Sequence, residues 1–277
     1  MIKIMNRSHI TRYQIKAVVF DIQAECRALK RELSEAGIAV IVPFFGIRAD
    51  QILQTMLEDT DILHTQCLML TNNRQHAEAA SNLGMAVVGC IEGHFEVPKT
   101  SVLLEAPEEV SANYLNQIYC HEKGIPAAIA ETEHCFLCEM TAEDADNLYD
   151  ILSDEETAKY LPDKIESREE ELEKLVSYVS YVYSFFGYGY WGVFSKETGE
   201  LIGRAGFKEG EYPLEAGYVV KRSEWGKGYA TEVLTELVRY AKDELDCAEI
   251  VVNIDERNSA SLRVAEKCGV VCNRLRI

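Results

Sequence analysis

One stretch constrains this chain of 277 residues more than any other: EAGYVVKRSEWGKGYATEVLTELVRYA, residues 215–241. An apolar strand ends at Val220, a loop holding Gly226 and Gly228 follows, and an amphipathic helix opens directly from that loop. Two glycines let the backbone turn tightly and come close to a ligand. The first turn of a helix presents N–H groups without intrahelical acceptors and the positive end of the macrodipole. The loop can therefore cradle an anionic diphosphate with main-chain groups alone. A plain glycine turn capping a core helix is the alternative that a lone G-x-G leaves open.

Charge narrows the ligand classes. The formal net charge is −18, from 28 basic and 46 acidic residues. A nucleic-acid partner needs a basic footprint, so none is expected. Any anion must be held by locally oriented dipoles, because the global field repels it. No stretch approaches the roughly 18 apolar residues that span a bilayer, and the N-terminus lacks the apolar core of a signal peptide. A cytoplasmic protein without a membrane partner is the expectation.

Length favours two domains, and the chain has two rhythms. In the first half, KAVVFDI, IAVIVPFF, QCLMLTNN, AVVGCIE and SVLLEA read as strands separated by helices at AECRALKRELSEAG, 49–57, RQHAEAASNLG and 108–122. Near-continuous apolar strands alternating with helices predict a parallel sheet covered on both faces. The segment KGIPAAIAETEH, with Gly124 and Pro126, reads as the join. The expected division is a Rossmann-like domain over 1–125, a linker over 126–133 and a mixed-sheet α/β domain over 134–277. After residue 133 the acidic excess grows, with 17 basic against 29 acidic residues. Helices are expected at EDADNLYDILSD, with Thr141 and Asp144 as its capping signal, and at ESREEELEKLVSYVSYVYSFFG. Antiparallel strands over 190–220 should turn at Glu197–Glu200 and Lys208–Glu211. A helix over 229–245, a strand over 249–254, a helix over 259–268 and a terminal strand complete the reading.

Nine scattered cysteines without framework spacing suggest reduced, mostly buried thiols. Only Cys135 and Cys138 form a C-x-x-C, a weak zinc signal without a second ligand pair. No metal site is expected.

With these blocks in order, EWGKGYATE resembles the acetyl-CoA diphosphate loop of the GNAT acyltransferases. Gly228 and Ala230 match the family pattern, while Trp225 stands where Gln or Arg is usual, as in the branch that acetylates ribosomal-protein N-termini and its small-molecule relatives. ERNSASLRVAEKCGV resembles the second cofactor segment, with Asn258, Ser261, Lys267 and Gly269 in place. LIGRAGF and EAGYVV resemble the central strands. The resemblance covers roughly residues 134–270. It implies acetyl-CoA held by Tyr218, Val219, Val220, Trp225, Gly226, Lys227, Gly228, Tyr229, Ala230, Asn258 and Ser261.

The implied reaction is attack of a neutral amine on a thioester, which requires a base, a carbonyl-polarising donor and an acid for the leaving thiolate. Val220 is the expected N–H donor. Glu215 is the candidate general base, with a strand-edge surface carboxylate as its alternative. Ser261 is the candidate acid, or contacts the cofactor without proton transfer. Asn258 hydrogen-bonds the cofactor arm or caps the helix. Among the aromatics of SYVSYVYSFFGYGYW, Tyr188 and Tyr190 are the candidates for an acceptor pocket, against core packing for the rest.

AVVFDI with LMLTNNRQHAEAASNLGMAVVGC resembles a haloacid-dehalogenase (HAD) phosphatase core. Asp21 matches the nucleophile, but Gln23 replaces the second acid, Pro43 stands where Ser or Thr is expected, and Thr71, Asn72 and Asn73 replace the magnesium carboxylates. Neutral amides substitute poorly for carboxylates around a hard cation. A catalytically inert HAD-like shell is the expectation.

The leading functional expectation is an N-acetyltransferase acting on a small-molecule amine or a peptide N-terminus. A non-catalytic acyl-CoA sensor is the alternative. The chain stops eight residues beyond Gly269, so the first half or a second copy in a homodimer completes the acceptor pocket, or the chain is a truncated piece.

Overall fold

The computed structural model describes residues 11–43, 49–91, 102–161, 165–208 and 213–276. They divide into two compact units, one spanning Tyr13–Ala127 and the other containing Ala128–Ile277.

In the first unit, five strands are β1 (Ala17–Asp21), β2 (Ala39–Ile41), β3 (Cys67–Thr71), β4 (Ala86–Cys90) and β5 (Leu103–Leu104). They pair in the order β2-β1-β3-β4-β5, and every pairing is parallel. Burial explains this: all five residues of both β3 and β4 are inaccessible, as strands covered on two faces must be. The helices are α1 (Arg27–Glu35), α2 (Ala49–Thr55), α3 (Arg74–Asn82) and α4 (Ala112–Lys123). Local chemistry sets their ends. The Asn73 side chain accepts from the N–H groups of Gln75 and His76 to start α3, and Gly124 in the left-handed region stops α4.

The second unit carries a seven-stranded sheet in the order β12-β11-β10-β9-β8-β7-β6. Its strands are β6 (Ala128–Glu131), β7 (Cys135–Cys138), β8 (Tyr190–Ser195), β9 (Leu201–Phe207), β10 (Leu214–Val220), β11 (Ile250–Asp255) and β12 (Val271–Leu275). Pairings from β6 to β10 are antiparallel, and those of β10 with β11 and β11 with β12 are parallel. Strand β6 occupies the stretch read from sequence as a linker. Its Ala-Ile-Ala core is buried against β7, and small side chains do not announce a strand. The turn at 196–198 forms with Gly199 at φ +71°, while the expected turn over 208–211 lies largely outside the described residues.

Helices α5 (Ala145–Leu152), α6 (Glu155–Ala158), α7 (Arg168–Phe186), α8 (Tyr229–Glu244) and α9 (Ser259–Cys268) complete this unit. One sheet face packs Phe194 and Leu201 against Leu148, Ile151, Leu152 and Leu175 of α5 and α7. On the opposite face Trp191 meets Phe207 and Tyr240 of α8 edge-on, at 6.1 and 5.1 Å between ring centroids. All three rings are buried, so this cluster fixes α8 on the sheet. Trp191→Ala should therefore cost about 3–5 kcal/mol, read as a lowered urea midpoint; a loss below about 1 kcal/mol would show that α8 is held elsewhere.

Candidate active site

The site begins where two strands part. Strand β10 pairs with β11 only at Leu214↔Ile250 and Glu215↔Val251, although both run on, to Val220 and Asp255. Beyond Glu215 the β11-facing edge of β10 has lost its partner. Backbone direction follows from the other edge: Lys221 N–H donates to the Ile202 carbonyl, and the Glu215 carbonyl accepts from Lys208 N–H. Because polar groups of an extended strand alternate between its edges, the N–H groups of Tyr218 and Val220 turn into the gap. The Trp225 indole N–H donates to the Val220 carbonyl at 2.7 Å, which agrees with that direction.

At the end of β10 the loop supplies a second set of unpaired donors. Gly226 and Gly228 have φ of +79° and +96°, and a Cβ built on either would meet nothing within 4 Å. Both thus open onto empty space in a conformation that favours glycine. Helix α8 has no side-chain cap at Gly228; its first bonds run from Thr231 and Glu232 N–H to the Gly228 carbonyl. Among the described residues, no acceptor takes the N–H groups of residues 226 to 230. This row of main-chain donors at a helix N-terminus is a cradle for an anion.

Gap and cradle share one cavity of about 470 Å³. Its walls include Tyr218, Val219, Val220, Trp225, Gly226, Gly228, Tyr229 and Ala230, with Asn258 and Ser261 opposite on α9. The Asn258 side chain accepts from Ser261 N–H at 3.1 Å and caps α9. Tyr218 bridges the gap, its hydroxyl donating to the Ser261 carbonyl at 3.3 Å. Burial pushes this phenol up to about 12, so it stays protonated at neutral pH. Lys227 does not line the cavity; its ammonium is paired with Glu224 at 2.8 Å.

The structure also brings in residues that sequence reasoning missed. Thr157, Tyr160 and Leu161 line the cavity from α6 and the segment after it, and Arg263 lines it from α9. Four-residue α6 is too short for a periodic signal. Arg263 and Lys267 are one turn apart on α9 and both reach the wall, so this i, i+4 pair of cations was the available clue. The cavity is thus open to both sheet faces, with α6 on the side of α5 and α7, and α8 and α9 on the other.

Glu215, Tyr188 and Tyr190 lie outside the cavity lining. Glu215 is half-buried on β10 at the last residue paired with β11. By strand alternation it shares a face with Gly217 and Val219. The Tyr190 hydroxyl lies 2.5 Å from the point where a Gly217 Cβ would stand, so Tyr190 lies on that face too. Tyr188 packs edge-on against Phe207.

Glu232, in the first turn of α8, is turned away from the cradle. It accepts from the His134 backbone N–H at 2.7 Å and bonds the His134 ring at 2.9 Å. Cys135 and Cys138 are buried free thiols, and burial pushes the Cys135 thiol up to about 11. Among the described residues no group of three or more His, Cys, Asp or Glu could hold a metal ion.

The model of the GNAT acetyltransferase domain matches residues 135–271. The uncharacterized N-acetyltransferase p20 of Bacillus licheniformis is 30% identical over 139 residues, covering 48% of this chain and 76% of that protein. The uncharacterized protein YkkB of Bacillus subtilis is 36% identical over 89 residues, 31% of this chain and 52% of that protein, so the match spans about half of YkkB. A GNAT-family acetyltransferase of Bacillus anthracis of known structure is 23% identical, with 50% of this chain and 81% of that one covered and a TM-score of 0.44.

The His134–Glu232 pair makes a pH prediction. Its hydrogen bond to Glu232 raises His134 above its usual 6.5. Burial raises Glu232, but hydrogen bonds from Thr132 and His134 outweigh it and leave the carboxyl below its usual 4.5. The histidine's contribution is complete below 6.5 and lost as pH rises through its raised folded value; the glutamate's is complete above 4.5 and lost as pH falls through its lowered one. The Tm difference between wild type and His134→Gln should therefore peak between these limits and shrink on both sides. A difference independent of pH would contradict the pairing.

Proposed function

Because this chain belongs to the GNAT acetyltransferases, whose acyl donor is acetyl-CoA, we propose that residues 134–277 transfer an acetyl group to a primary amine, carried by a small molecule or a peptide N-terminus. The observation that carries this reading is the row of unpartnered N–H groups over 226–230, opening on the same cavity as the parted strands. The residues fit the cofactor. Gly226 and Gly228 leave room for a diphosphate, the donors over 226–230 hold its charge, and Arg263 and Lys267 stand on the facing wall. When bound, acetyl-CoA supplies a thioester that an amine can attack directly.

The chain's own groups divide the remaining work. Val220 offers its N–H to a carbonyl oxygen in the gap, where it is desolvated and pre-oriented. Ser261 faces the cavity, and its hydroxyl has no hydrogen-bond partner among the described residues; it is the proton donor to the departing sulfur. Glu215, on the face of α5 and α7, takes the proton of the incoming ammonium, through a water, since it stands outside the cavity lining. Trp225 fills the position where the family carries Gln or Arg, and its indole ties the loop to the end of β10. That substitution leaves the main-chain donors intact.

For the unit Tyr13–Ala127 the proposal is an inert HAD-like shell. Asp21, at the end of β1, accepts from the Thr71 hydroxyl at 2.5 Å and lies 2.7 Å from the His76 ring nitrogen, both at Oδ2. A carboxylate committed to these partners, without a second acid at Gln23, is poorly placed as a nucleophile.

Gly228→Val tests the cradle, because a branched residue at φ +96° is strained and its methyls enter the anion site. Calorimetric CoA titration and thiol release from acetyl-CoA with an amine panel should show affinity weakened by at least about tenfold, near 1.4 kcal/mol. Unchanged affinity in the variant would remove the cradle from the proposal. Tight CoA binding by the wild type with no thiol release on any amine would favour the non-catalytic sensor.

A further inference from the structure

Arg204, in the middle of β9, is half-buried and is held differently from three other arginines of its unit. Arg168, Arg239 and Arg257 each hold a carboxylate, at 2.7, 2.5 and 2.7 Å. The Arg204 side chain has no hydrogen bond or ion pair among the described residues, and its Nε is sealed from solvent without an acceptor. The guanidinium instead lies over the Tyr190 ring, 5.3 Å from its centroid. The backbone that carries this ring is held on both sides: Tyr190 N–H donates to the Tyr178 hydroxyl at 2.5 Å, and the Tyr190 carbonyl accepts from the Tyr183 hydroxyl at 2.7 Å.

Register places this cation one strand away from the gap, across β10 and outside the cavity lining. Arg204 lies directly opposite Val219, a residue of the cavity wall, and both side chains share the face that carries Glu215 and Tyr190. The cofactor cradle lies towards the other face, under α8 and α9, where Arg263 and Lys267 serve its phosphates. A half-buried guanidinium on the opposite face is poorly solvated, rigidly presented and shaped for bidentate contact with a carboxylate. A net charge of −18 would otherwise disfavour the carboxylate end of an acceptor.

We propose that Arg204 binds a carboxylate of the acceptor, so that the amine acetylated belongs to a molecule with a free carboxylate, an amino acid or a short peptide. This deepens the proposed acetyl transfer and rests on it. Arg204 then determines specificity, holding one end of a zwitterion while Glu215 serves the amine end on the same face.

The test uses the full chain and matched pairs of acceptors: alanine and alaninamide, β-alanine and its amide, 4-aminobutyrate and its amide, glycylglycine and its amide. Thiol release gives kcat/KM for each. At least one acid should exceed its amide in the wild type, and Arg204→Gln should lower that acid by about tenfold or more while its amide changes less than about threefold. The carboxylate alters amine basicity equally in both proteins, so the change in ratio isolates the arginine. Arg204→Lys, which keeps the charge over Tyr190, should retain part of the preference through a raised KM. If the Gln variant does not fold, the wild-type pairs and the Lys variant still decide. Amides turned over with no acid preferred, or a preference that survives Arg204→Gln, overturns the role of Arg204 and leaves acetyl transfer standing. No thiol release with any acceptor overturns both.

Discussion

Backbone hydrogen bonds that are not made govern the second unit of this molecule. A backbone polar group without a protein partner has to face water or a ligand, because burying it alone is costly. Here two sets occur side by side: the β11-facing edge of β10 beyond Glu215, and the N–H groups over 226–230. Both open on one cavity. The surrounding fold holds them apart from protein acceptors. The antiparallel ladder from β6 to β10 fixes one edge of the gap, α9 and β11 fix the other, and the Trp191–Phe207–Tyr240 cluster fixes the helix whose N-terminus forms the cradle.

This arrangement reconciles an acidic protein with an anionic cofactor. The global field opposes binding, so the work falls to oriented main-chain dipoles and to Arg263 and Lys267 on the facing wall. Lys227, next to the glycines in sequence, contributes little charge because Glu224 neutralises it. Glu232 would oppose an anion from the first turn of α8, yet it is turned to His134 and ties β7 to the helix. Local pairing thus clears unfavourable charge from the cradle.

The parallel sheet, the antiparallel run and the strand-loop-helix were legible because each has a local signature. Continuous apolar strands report burial on two faces, and alternation with turns reports hairpins. Gly226 and Gly228 report a backbone that must turn left-handed. What escaped lacks such a signature. Strand β6 is built from alanine and isoleucine beside a proline, and reads as a linker until β7 is seen to pair with it. Helix α6 is a single turn. The parting of β10 and β11 is a relation between strands some 30 residues apart, and no local window contains it. Placement of Tyr190 over Gly217, with Arg204 on the same face, likewise depends on register across three strands.

The proposed cofactor cradle requires that the amides over 226–230 are free in the protein and are taken up by a diphosphate. Amide hydrogen exchange measured residue by residue, with CoA and separately with pantetheine, tests it most directly. CoA should slow exchange across 226–230 while pantetheine, which lacks the diphosphate, leaves these amides unchanged. Equal protection by both, or none by CoA at saturating concentration, would contradict it.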